Sequence, residues 1–187
     1  MAPVPWSWVL QVHGSTVLQV DRPGHRAGEE ADGLFTVEPG CPIAVTTADC
    51  APVVLVARRG VAVVHAGWRG LEAGIIGLAA ERLGAAAGQP VASLLGPSIG
   101  PEAYEFGRAD LDRLIDRFGP VVEGVTDGGT PALDVPAAVA EACAAAGWPR
   151  PARPPCTSDP RWFSHRTRGE LGRQTAVAWL TAAGDAS

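Results

Sequence analysis

Lysine is absent from this 187-residue chain; all fifteen basic residues are arginine. Together with heavy alanine use, this points to a GC-rich coding bias rather than a functional device. No basic run exceeds two adjacent residues, and the formal net charge is −5 with a pI near 5.3. That excludes the electrostatic footprint of a nucleic-acid binder. Long apolar runs are missing as well. A membrane-spanning helix needs about 18 or more consecutive apolar residues, and Arg58-Arg59 interrupts the longest candidate, so no membrane partner is expected. The opening MAPVPWSWVLQVHG has neither a basic n-region nor a clean apolar h-region and does not read as a signal peptide; the expected location is the cytoplasm. No Cys-x-x-Cys pair occurs. Cys41, Cys50, Cys143 and Cys156 lie far apart, which in a cytosolic chain favours free thiols or ligands over a disulfide framework.

What is present is a globular composition, 47% hydrophobic, with 23 glycines and 17 prolines marking many turns. The length fits one domain, residues 1–187, with a proper hydrophobic core. Trp8–Val20 alternates apolar and polar residues on either side of His13-Gly14, as two short strands would. Leu34–Val37 and Ile43–Thr47 are further strand candidates. Val53–Ala57 and Val61–His65 form a hairpin about Arg58–Gly60. Leu71–Ala87 carries Leu71, Ile75, Leu78, Ala79 and Leu83 at helical spacing, which buries one stripe. Val91–Leu95 reads as a buried strand and Arg108–Phe118 as an amphipathic helix. Another helix starts from an Asp134 N-cap with Pro136 in its first turn and runs to about Ala146. Gln174–Thr181 closes the chain as a strand. Strands come in runs between helices, so the fold class is α+β rather than a doubly wound sheet.

The hairpin raises the chemical question. Cys50 precedes its first strand and His65 ends the second, placing two good soft metal ligands at one end. With a straight strand, Cys50 would lie roughly 10–13 Å from His65, too far to share an ion. Pro52 cannot donate to a ladder and is expected to end regular pairing, letting 48–51 bend inward. His13, beside the permissive Gly14, is the best third ligand. Two histidines and one cysteine leave a fourth tetrahedral position open, as in catalytic zinc sites. The alternative is that each is simply a packed strand-end residue. Cys143 falls on the buried side of its helix, and Cys41 and Cys156 read as loop or edge residues. Asp49 could move a proton beside a metal, although a turn role suits it equally. Phe163-Ser164-His165-Arg166, upstream of Arg173, could form a ligand wall or a plain surface loop.

Gln11-Val12-His13-Gly14, Ala31-Asp32-Gly33, Thr47-Ala48-Asp49-Cys50-Ala51-Pro52 and His65-Ala66-Gly67-Trp68-Arg69-Gly70 follow one another in this order. Gly96-Pro97-Ser98-Ile99-Gly100, Tyr104-Glu105, Phe163-Ser164-His165-Arg166 and Gly172-Arg173 complete the series. Together these motifs resemble the laccase-domain family, once called multicopper polyphenol oxidases and now read as purine nucleoside phosphorylases. The resemblance implies an α+β sandwich of two central mixed sheets covered by helices, in α/β/β/α layers. It places the metal ligands on His13, Cys50 and His65, the trio already favoured. It implies zinc-dependent phosphorolysis of adenosine, inosine, guanosine and methylthioadenosine, together with adenosine deamination. Purine nucleosides and phosphate are then the partners. Arg69 or Arg166 would clamp the phosphate by bidentate bonds, with Phe163 and Ser164 in the substrate wall and Asp49 as acid/base. Copper is the poorer choice of metal. There are four histidines, no His-x-His pair, and Met1 is the only methionine, whereas a blue-copper site usually adds an axial Met.

Two departures from the family pattern bear on activity. The family's usual N-terminal segment before the QVHG strand is expected to be missing. The FSYRR element reads FSHRT, with His165 and Thr167 substituted. Both predict weaker substrate binding, or a homo-oligomer in which a second subunit covers the gap. Two functions from other classes remain open: a metal-free cysteine hydrolase with a Cys50–His65 dyad, and a non-catalytic zinc- or nucleoside-binding protein.

Overall fold

The computed structural model describes residues 4–181. Its centre is the expected hairpin, β6 (Ala51–Ala57) and β7 (Gly60–Ala66), joined by the two-residue turn Arg58-Arg59. β7 is buried along its whole length. Alternate residues face opposite sides of a strand, so Val61 and Val63 enter one core while Ala62, Val64 and Ala66 enter the other. A strand covered on both faces is apolar throughout rather than alternating, which is why this stretch reads as a continuous run.

Two mixed sheets pack face to face. The five-stranded sheet has the order β2 (Val17–Gln19), β4 (Gly33–Thr36), β7, β6, β8 (Pro90–Leu95). The four-stranded sheet runs β11 (Gln174–Ala178), β5 (Ile43–Thr47), β1 (Ser7–Leu10), β3 (Glu29–Glu30). Val9, Leu34, Ile43, Val45, Val61 and Val63 fill the space between them. Cys41 lies in the loop before β5, as expected, and its side chain is buried in this inter-sheet core. The other face of the five-stranded sheet carries the helices α1 (Trp68–Ala73), α2 (Ile75–Ala87), α3 (Arg108–Phe118) and α4 (Val135–Ala145), packed through Leu71, Ile75, Ile76, Leu83, Leu111 and Leu114. Cys143 is fully buried there, as its helix position suggested.

The α+β sandwich of two mixed sheets therefore stands, with several local differences. The stretch 71–87 is not one helix. Gly74 adopts φ 85°, ending α1 and starting α2; this left-handed geometry is one that glycine adopts without steric cost. The break turns the buried stripe onto Ile75, Ile76, Ala79, Ala80, Leu83 and Ala87 and leaves Leu78 exposed. Pro52 does not end pairing either, since it sits in register opposite His65. Its carbonyl accepts from Gly96 N at 2.9 Å, so its missing donor faces the end of β8 and interrupts no bond to β7. Asp134 caps α4 as expected, accepting from Ala137 N at 2.9 Å. The short ribbon β9 (Glu123–Val125) with β10 (Pro131–Leu133), and β3, were not expected. Strands of two or three residues are too short to show a period.

Candidate metal centre

The two sheets bring together the turn after β1, the end of β5 and the end of β7. His13 stands on the turn at φ 60°, and Asp49, before Cys50, at φ 100°. Both are uncommon for residues other than glycine. The expected 10–13 Å gap between Cys50 and His65 is not found: the turn is one residue shorter than Arg58–Gly60, so His65 pairs with Pro52 and Cys50 lies only two residues beyond that pair. The ligand atoms of His13, Cys50 and His65 all lie within 4.8 Å of one another. Cys50 Sγ is 3.9 Å from His13 Nε2, and the two imidazoles meet edge to face with centroids 4.8 Å apart.

Asp32, wholly buried, holds this arrangement. Its carboxylate accepts from the backbone N–H of His13 at 2.9 Å and of Gly14 at 2.7 Å, fixing the strained turn. It also pairs with His65 Nδ1 at 2.8 Å, which leaves Nε2 free toward the centre. A carboxylate behind a ligating histidine sets its tautomer and raises its basicity. In the sequence Asp32 shows only as an acid flanked by small residues at the entry to a buried strand.

The electrostatics follow from these contacts. Burial opposes ionisation of the Cys50 thiol, but His13 and His65 beside it outweigh burial and bring it down to about 7. Burial likewise opposes charging of His65, but Asp32 and the Cys50 sulfur together raise it to about 9. A thiolate facing an imidazolium is ready to exchange protons for a cation. The space also fits an ion. A Cβ on Gly67 would stand 3.0 Å from His13 Cδ2 and 3.3 Å from Cys50 Sγ, so glycine keeps the ligands' cradle open.

A cleft of about 880 Å³ opens from this centre, a size suited to a small-molecule ligand. Arg69 and Arg166 line it, as do His165, Arg173, Trp8 and Tyr104. The Arg69 guanidinium lies 4.4 Å over the Trp68 ring and that of Arg166 4.9 Å over Tyr104. Trp68 and Tyr104 both pack edge-on against Phe106, which makes the aromatic support continuous. Phe163 and Ser164, expected in the substrate wall, are not among the residues lining the cleft. Phe163 packs over Gly172. Buried Ser164 caps the short helix α5 (His165–Arg168), accepting from Thr167 N at 3.2 Å. The Asp49 carboxylate accepts from Thr157 Oγ1 and Ser164 Oγ, each at 2.7 Å, and from Arg166 N at 2.6 Å.

This fold and site define a class, α+β sandwiches with a His/Cys/His centre beside an arginine-lined cleft. Within it, the chain belongs to the multi-copper polyphenol oxidoreductase laccase family, which it matches over residues 1–181. This is the family that the motifs resemble. The chain is 37% identical over 180 residues to a protein named purine nucleoside phosphorylase from Mycobacterium tuberculosis strain H37Rv, covering 92% of this chain and 71% of that one. A protein of the same name from Streptomyces coelicolor is 35% identical over 180 residues, with 92% and 74% covered. Among solved structures, YlmD from Geobacillus stearothermophilus superposes with a TM-score of 0.78 at 31% identity, covering 94% of this chain and 74% of that one. The Bacillus licheniformis hypothetical protein YfiH gives a TM-score of 0.80 at 27% identity with the same coverage.

Proposed function

We propose that the chain is a single-domain, zinc-dependent purine nucleoside phosphorylase that also deaminates adenosine. The observation that carries this reading is the Asp32-oriented His13/Cys50/His65 trio at the base of a cleft with Arg69 and Arg166 on its wall. The relatives' names supply the substrate class.

Two nitrogens and one sulfur suit zinc, with a fourth position left for substrate or water. A multicopper arrangement is disfavoured because this trio is the one cluster of three or more His, Cys, Asp or Glu groups of metal-binding geometry among the described residues. Bound zinc would supply a fixed positive charge and Lewis acidity. The chain's own residues do the rest. Cys50 serves as a ligand thiolate. Arg69 and Arg166, braced on Trp68 and Tyr104, would hold inorganic phosphate near the ribose; planar guanidinium forks match phosphate oxygens in pairs. In phosphorolysis a phosphate oxygen bonds to the anomeric carbon as the bond to the purine nitrogen breaks, and the base leaves with a proton. Ser164, which caps the helix carrying Arg166, supports the arginine wall from behind. Asp49, expected as the acid or base, already accepts from three donors. We place the protein in the cytoplasm. Among the described residues no helix is long and apolar enough to cross a membrane.

A second reading has one specific observation in its favour. Asp32, His65 and Cys50 stand in the order of a hydrolase triad, carboxylate to imidazole to thiol. It leaves His13 without a role. Purified protein with adenosine and phosphate should give adenine with ribose 1-phosphate, or inosine with ammonia. A chelator should abolish both, and zinc restore them. Full activity of metal-free protein, with an acyl group trapped on Cys50 by an ester or amide, would instead establish the triad.

A further inference from the structure

We infer that Asp49 is a positioning residue that couples the metal centre to the arginine segment of the cleft, rather than the acid or base of the reaction. The inference rests on the functional reading above for its phosphate arm only.

The geometry leaves Asp49 little capacity for proton work. The residue is almost buried, at 8% exposure. Oδ1 accepts from two hydroxyls, Thr157 Oγ1 and Ser164 Oγ, which uses both of its lone pairs. Oδ2 accepts from the Arg166 backbone N–H. Asp49 borders the cleft, but three of the about four acceptor positions of its carboxylate already take donors from the protein. What those bonds do is mechanical. Ser164 Oγ also caps α5 through Thr167 N, so Asp49 and Ser164 together fix the first turn of the helix that carries Arg166. The Arg166 side chain is then held over Tyr104. On its other side, Asp49 is joined through one peptide bond to the ligand Cys50, and its carbonyl accepts from Ile99 N at 2.9 Å.

The φ of 100° at Asp49 sharpens the point. An L-residue stays in such a conformation only where its surroundings over-determine it, and here the three side-chain bonds and the Ile99 contact do so. Anything that fixes Cys50 in one place, as a bound cation would, therefore also fixes the backbone from which the 164–168 segment hangs. Coupling of this kind is reciprocal: metal should tighten phosphate, and phosphate should tighten metal.

Two variants separate this from acid/base catalysis. Asp49→Asn keeps size but must turn an NH2 toward one of the three donors. Thr157→Val keeps the Asp49 carboxylate and removes a single donor that does not line the cleft. Amide hydrogen exchange at Arg166 and Thr167 is compared between metal-stripped and zinc-loaded protein, and steady-state constants are measured with adenosine and inorganic phosphate. In the unaltered protein, zinc should slow exchange at both amides. In both variants zinc should still bind, but the slowing should be lost. Because a hydrogen bond to a charged group is at stake, KM for phosphate should rise about tenfold or more, with kcat at saturating phosphate nearly kept. A large fall in kcat for Asp49→Asn at unchanged phosphate KM, with Thr157→Val silent, would make Asp49 the acid or base and overturn the inference. So would zinc-independent exchange at Arg166 in the unaltered protein. Absence of nucleoside turnover in a protein that shows zinc-dependent exchange would sink the phosphorylase reading and leave the coupling standing.

Discussion

At the residue scale, the centre depends on two positions that accept strain and one that accepts nothing. His13 and Asp49 hold left-handed backbone conformations, each of order 1–3 kcal/mol unfavourable for such residues, and buried carboxyl groups anchor both. Gly67 keeps the space between the ligands clear. Its backbone, at φ −73° and ψ 163°, is one that alanine adopts freely, so the effect of Gly67→Ala would come from the added methyl alone. Thiol labelling reads the site directly. Only the thiolate reacts, and with Cys50 lowered to about 7, iodoacetamide labelling of metal-free protein should rise through a midpoint near pH 7. Cys143, which burial pushes up to about 11, should stay unlabelled. Since His65 is raised to about 9, the thiolate–imidazolium pair spans the window between these values. Below it the thiol is reprotonated, and metal affinity should fall. Zinc should protect Cys50 in the native protein but not in Gly67→Ala. Equal labelling with and without zinc in the native protein would remove Cys50 from the ligand set.

At the element scale, the helix break decides which side chains are buried. A continuous helix over 71–87 would have pointed Leu78 inward; the restart at Gly74 buries Ile76 and Ala80 instead. Gly74→Ala meets a left-handed φ, where a Cβ is strained, and the Arg117 guanidinium lies 2.8 Å from the added atom. Thermal or urea unfolding should show a loss of about 1 kcal/mol or somewhat more, with zinc content unchanged because α1 and α2 carry no ligand. A neutral or stabilising result would mean that the break is not set by Gly74.

At the scale of the whole molecule, the two faces of the sandwich are unequal. The main helices cover the five-stranded sheet, while the outer face of the four-stranded sheet exposes Trp6, Trp8, Leu10 and Trp179 to 50% or more. Trp8, Ala44 and Val177 form one row across that face, and Trp6, Trp8 and Leu10 also line the cleft. Contiguous apolar patches rich in tryptophan mark association surfaces. Sedimentation velocity of the 187-residue chain should show concentration-dependent self-association, weakened in a Trp6→Ser/Trp8→Ser variant. A monomer at every concentration would show that this face binds no second copy.

Much of this was legible in the chain itself. The apolar run of β6 and β7, the site of their turn if not its length, the Asp134 cap and the motifs around His13, Cys50 and His65 are local signals, set by side-chain period and backbone preference within a few residues. The α+β class followed from their order. The site's assembly did not. No local rule says that Pro52 would keep its place in the ladder opposite His65, which sets Cys50 two residues away, or that Asp49 would adopt φ 100°. Asp32 acquires its role only when β4 lies next to β7, and Asp49 only when a segment more than one hundred residues later returns to it. Those partnerships join positions far apart in the chain, and only sheet packing, not sequence period, chooses which distant groups a buried carboxylate meets.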